Sequence, residues 1–96
     1  MDREIFMTLV WPTLAKSIED KGFKPSLILS EAIRNSAYIL LSPENSLNKQ
    51  HEKRFRDAVI DLLTRLHIPF EDKSDGLYTL IFVNFDKLRS QDIKND

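Results

Sequence analysis

Lys49, His51, Lys53, Arg54 and Arg56 fall within eight positions. Cations at that density suggest phosphate or acidic-partner chemistry, because affinity for a phosphate backbone comes from several charges that track it. On a helix, Lys49, Lys53 and Arg56 recur at i, i+4 and i+7 and share one stripe, while Arg54 points to the other flank with Asp61 and Arg65. The same residues support a structural reading. Glu52 lies four before Arg56, Lys53 four before Asp57 and Asp61 four before Arg65. Such pairs contribute about 0.2–0.5 kcal/mol each and mark a solvated helix face. Lysines in the first half of a helix meet the positive end of its dipole, and no aromatic residue shares the stripe to stack a base, since Phe55 belongs to the core side. A solvated face is therefore the first reading. Contact with a macromolecule through Lys49, Lys53, Arg54 and Arg56 is the second.

Glu71-Asp72-Lys73 has the E-x-K spacing of a class of magnesium nucleases. That chemistry needs a second carboxylate on a neighbouring strand to hold the metal, with the lysine orienting a water. Only Glu44, which follows an earlier apolar run, could pair with Glu71. Charged residues near a hairpin turn are also what an exposed sheet edge carries, so a nuclease is the remote alternative. His51 and His67 are too far apart on one helix to share a metal, and no carboxylate spacing resembles a zinc or calcium loop. His51 reads as a partly buried structural residue at the edge of the apolar face, and His67 as a helix C-terminal residue. Gly22 and Gly76 are the two glycines, and both read as turn residues, so no phosphate-cradling loop is present. No serine sits in a G-x-S-x-G elbow. The chain has no cysteine, which removes disulfides, thiolate metal sites and cysteine nucleophiles together. These patterns predict no enzyme, no cofactor, no metal site and no small-molecule substrate.

The elements that must position these residues follow from periodicity. Phe6, Val10, Leu14 and Ile18 recur every four residues, and with Asp2 as cap and Gly22 as stop they predict a helix over 2–21. Pro12 inside it predicts a kink. Leu29, Ala32 and Ile33 suggest a short second helix opened by Pro25 and Ser26. Ala37 to Leu41 reads as a buried strand, with a continuous helix as the rival. Ser42-Pro43-Glu44 is a helix-start signal, and the long helix it opens carries the stripe Phe55, Val59, Leu62 and Leu66 before stopping ahead of Pro69. Asp75-Gly76 predicts a two-residue hairpin turn. A turn centred there sets Phe70 opposite Ile81 and Ile68 opposite Val83. Leu77 to Val83 is apolar at nearly every position, as an interior strand covered on both faces would be. Strand, helix and hairpin then make a β-α-β-β sheet with the last strand in the middle. Asn84 or Asp86 could cap a short final helix through Leu88.

The resulting expectation is an α+β fold, with N-terminal helices packed on a small β-α-β-β sheet. It forms one domain over 1–88, and a polar tail follows over 89–96. Hydrophobic content of 42% with 30% charged residues is globular rather than disordered composition. A net charge of −1 gives the whole molecule no field favouring nucleic acid or anionic membrane. The first residues lack a signal-peptide layout and no run approaches the roughly 20 apolar residues of a membrane span, so the expected setting is cytoplasmic. Ile5, Leu9 and Trp11 lie off the main stripe of the first helix and make it more apolar than one sheet face can cover. They form a candidate interface. The function expected is that of a small regulatory or binding protein acting through another protein, or through a second copy as a homodimer. A nucleic-acid-binding module using the basic face 49–56 is the alternative.

Overall fold

The computed structural model describes residues 1–42, 44, 46–76 and 78–86. The expected short helix through Leu88 and the tail 89–96 lie outside the described residues. Three helical pieces come first: α1 (Arg3–Ile5), a π-helical segment (Phe6–Val10) and α2 (Trp11–Glu19). Strands β1 (Pro25–Leu29) and β2 (Ser36–Leu41) follow, then α3 (Lys49–Arg65), β3 (Phe70–Asp72) and β4 (Leu80–Asn84). The four strands form one antiparallel sheet in the order β1-β2-β4-β3. The α+β fold is as expected, and β4 lies in the interior of the sheet between β2 and β3.

The first helix shows how the chain accommodates Pro12. A proline has no N–H, and its ring collides with the carbonyl one turn back. The helix widens just before it: the Trp11 N–H donates to the Phe6 carbonyl, five residues back instead of four. A π-segment thus accommodates the proline at the place where a kink was expected. Asp2 caps the start through its carboxylate, which accepts from the Ile5 N–H at 2.9 Å. At the end, Gly22 adopts φ +94°. The Phe23 N–H reaches the Ile18 carbonyl (3.4 Å) and the Gly22 N–H that of Glu19 (2.9 Å). This is a Schellman stop, with Phe23 and Ile18 both buried in the core.

Residues 25–29, expected as the opening of a helix, are strand β1. Leu29, Ala32 and Ile33 fit helical spacing by coincidence; Leu27 and Leu29, two apart, pack toward the core while Ile28 between them is exposed. The turn after β1 is stabilised locally. Ser30 Oγ accepts from the Ile33 N–H (3.1 Å), Ser36 Oγ donates to the Ile33 carbonyl (2.5 Å), and Asn35 takes φ +59°. Asparagine tolerates that left-handed conformation through local hydrogen bonding.

Helix α3 does not begin at Ser42-Pro43-Glu44. Its cap is Asn48, extended in backbone, with the side-chain carbonyl accepting from the His51 N–H at 2.8 Å. Asn is as strong a cap as Ser, and this one sits directly ahead of the periodic segment. Pro43 lies outside the described residues. The fully buried side chains of α3 are Phe55, Val59 and Leu63, with Leu62 and Leu66 half-buried beside them.

His67 closes α3 in the left-handed region at φ +58°. The Ile68 N–H bonds the Leu63 carbonyl (3.0 Å) and the His67 N–H that of Thr64 (3.2 Å). The geometry is the same stop that Gly22 makes, built with a residue whose Cβ resists it. His67→Gly is expected to stabilise the protein by about 0.5–1 kcal/mol. Urea unfolding checks this: the midpoint should rise at an unchanged slope.

The hairpin reverses where Asp75-Gly76 indicates, but its register is centred one residue later. Phe70 pairs with Val83, Glu71 with Phe82 and Asp72 with Ile81. The Asp75 N–H bonds the Tyr78 carbonyl (3.1 Å) and Asp75 Oδ1 accepts from the Tyr78 N–H (2.8 Å). Each partner moves by two residues, so every side chain keeps its face, as the period of two requires.

Ala37, Ile39, Leu41, Ile81 and Val83 face Phe6, Val10, Leu14, Ile18, Phe55, Val59 and Leu63 in one core. Phe85 stacks on Phe6, ring centroids 4.1 Å apart. On the opposite face the register aligns Ile28, Tyr38, Phe82 and Glu71 in one row. Among the described residues helices therefore pack on one face of β4 only, where cover on both faces was expected. Phe82 on the other face is buried among its sheet neighbours, with the Tyr38 ring 5.2 Å away.

Candidate functional site

The basic stripe lies beside the hairpin loop. Lys49, Lys53 and Arg56 line a cleft of about 230 Å³ with Ser74, Gly76, Tyr78 and Thr79. A cleft of that size is below the roughly 300–1,000 Å³ of ordinary small-molecule sites. The three cations do not share one environment. Arg56 is half-buried, pairs with Asp72 of β3 at 3.5 Å and with Asp57 at 3.9 Å, and its Nε is buried without a hydrogen-bond partner among the described residues. It bridges α3 and β3. Asp72 is held below its usual carboxylate range, first by the Ser74 hydroxyl and then by the Ser74 N–H and Arg56, with desolvation opposing. Lys49, Lys53 and Arg54 are exposed and make no ion pair among the described residues.

Of the three expected helical pairs, only Asp61–Arg65 is present, at 3.0 Å. The expected Glu52–Arg56 pair is replaced because Glu52 turns inward. It is 8% exposed, its Oε2 accepts from the Thr79 N–H (3.1 Å), and its own backbone carbonyl accepts from the Thr79 hydroxyl (3.1 Å). This pair of bonds ties the first turn of α3 to the chain entering β4. Spacing could have revealed it: Glu52 lies three before Phe55 and seven before Val59, on the buried stripe rather than beside it.

The Glu71-Asp72-Lys73 segment holds no convergent site. Lys73 pairs with Glu71 itself at 2.9 Å, which raises the lysine pKa through that hydrogen bond, while Asp72 faces Arg56. Glu44 accepts from the Ser42 hydroxyl (3.1 Å). Among the described residues no group of three or more His, Asp or Glu side chains is arranged as metal ligands would be. His51 is half-buried with its ring 5.0 Å from Phe23. A second hollow of about 300 Å³ is lined by Pro69, Phe70, Glu71, Phe82, Asn84 and Asp86, and among these described residues there is no cation or nucleophile.

The candidate interface on the first helix divides in two. Ile5 and Leu9, each one residue before a buried core position, are 40% and 55% exposed. Met7 and Trp11, each one residue after such a position, are half-buried against the core. No described helix is long and apolar enough to cross a membrane. Comparison with known proteins finds no family model that the chain matches, no curated protein similar to it in sequence and no solved structure that matches its fold.

Proposed function

We propose that this is a small non-catalytic binding or regulatory protein that acts by contact with another protein. The observation that supports this reading is the exposure of Ile5 and Leu9, neighbours one turn apart on a helix whose adjacent positions fill the core. Exposed apolar residues scattered singly are ordinary, whereas adjacent ones on one helix face resemble an interface anchor. Replacing both with serine removes that surface without touching the core. The Ile5→Ser/Leu9→Ser variant should lose no more than about 1 kcal/mol of stability. Affinity enrichment from native lysate with parent and variant side by side should show a partner retained by the first and lost by the second. Identical sets on both would overturn the reading.

The alternative, nucleic-acid contact, is supported by Lys49 and Lys53, which line the cleft with no ion pair among the described residues. Double reversal to glutamate spares the Arg56–Asp72 bridge. It should abolish any binding whose affinity falls steeply with salt.

A further inference from the structure

The two edges of the sheet are built differently. The β3 edge is three residues long and charged, with Glu71 and Asp72 in the strand and Lys73 after it. Short length and charge are what keep a sheet edge from pairing with another chain. The β1 edge, Pro25–Leu29, is five residues long and uncharged. The Ser30 N–H donates to the Ser36 carbonyl at 3.1 Å, and residues 30 and 36 continue the β1–β2 register. Hydrogen-bonded positions alternate along an antiparallel strand. The even-numbered residues of β1 therefore face β2, and the N–H and C=O groups of Leu27 and Leu29 point out of the sheet. Pro25 is also at an outward position, where it has no donor to offer.

We propose that this edge joins two copies of the chain, β1 against β1 antiparallel, around a two-fold axis at Ile28. With the axis there, Leu27 of each copy lies opposite Leu29 of the other. Every outward N–H and C=O of both residues then finds a partner, four hydrogen bonds in all, and Pro25 falls beyond the last pair. With the axis at Leu27 instead, Leu29 would meet Pro25 and two of the bonds would have no donor. The strand is thus complementary to itself in one register, as a two-fold interface requires. Ile28, 54% exposed in the single chain, would lie against Ile28 of the second copy on the face away from the helices. No charged side chain within β1 opposes the approach. The proposal rests on the sheet edge and not on Ile5 and Leu9, so the Ile5→Ser/Leu9→Ser variant should dimerise as the parent does, and either surface can fail without the other.

Because the chain has no cysteine, a single introduced thiol can link only to its own copy. At the axis the two Ile28 Cα atoms would be about 4.5 Å apart, within disulfide reach. Ser26 of one copy would be roughly 13 Å from Ser26 of the other. Under mild oxidation Ile28→Cys should therefore form a covalent dimer on a non-reducing gel, and Ser26→Cys should not. By sedimentation the parent should dimerise, and Ile28→Lys, which sets like charges opposite each other, should weaken dimerisation at least about tenfold with an unchanged circular dichroism spectrum. A parent that remains monomeric at about 1 mM would overturn the proposal. So would Ser26→Cys linking as fast as Ile28→Cys, or Ile28→Lys dimerising with the parent's affinity.

Discussion

Ile81→Asp should leave the protein unfolded at room temperature. Ile81 is 0% exposed in the middle strand, with Ile39 of β2 on one side and Asp72 of β3 on the other. Removing the buried aliphatic side chain costs about 2–5 kcal/mol by itself. The carboxylate put in its place stands opposite Asp72, and Arg56 is already paired with Asp72 and Asp57. Burying an unpaired charge adds several kcal/mol more. A domain of this length has about 5–14 kcal/mol of stability in total. Far-UV circular dichroism and urea titration provide the measurement. Ile33→Asp, at a position 47% exposed in the β1–β2 turn, is the control and should stay within about 1 kcal/mol of the parent. A cooperative, native-like Ile81→Asp variant would show that β4 does not occupy the middle of the sheet.

Glu52→Ala should destabilise the fold by about 1–3 kcal/mol, although a glutamate on a charged helix surface is ordinarily replaceable. The change strands the Thr79 N–H, buried with residue exposure of 4%. Glu52→Gln keeps an acceptor at the same place and should cost less than the alanine change. Thr79→Val removes the hydroxyl that donates to the Glu52 carbonyl and should couple with Glu52→Ala in a double-mutant cycle, since the two bonds join the same pair of residues. A neutral Glu52→Ala would show that the tether between α3 and the entry to β4 contributes nothing, and an additive cycle would show that its two bonds act independently.

Much of this architecture is legible one element at a time. The four-residue recurrence of Phe6, Val10, Leu14 and Ile18, the stop at Gly22, the apolar run before Leu41, the stripe through Phe55 and Val59 and the turn residues Asp75-Gly76 are local signals. Each reflects a backbone preference or an apolar face that one segment carries alone. The β-α-β-β order with β4 inside follows from them, because an apolar strand is sheltered in the interior of a sheet and not at its edge. Ile5 and Leu9 were legible too, as apolar residues one step off the buried stripe.

What the chain's own residues determined is which segments are apolar, where they stop and which side chains carry charge. The tertiary structure decided the rest. Pro25–Leu29 is ambiguous by itself, since three apolar residues fit either period, and it becomes a strand because β2 offers it an unpaired edge. The fate of the basic stripe was equally non-local. Arg56 and Glu52 look like a helical ion pair four residues apart, worth a few tenths of a kcal/mol at most in water. The hairpin brings Asp72 to one and the Thr79 N–H to the other, and the need to satisfy buried polar groups outweighs that pairing. Only Lys49, Lys53 and Arg54 then remain as free cations of the patch among the described residues, because which charges stay in water depends on what the fold lays against them.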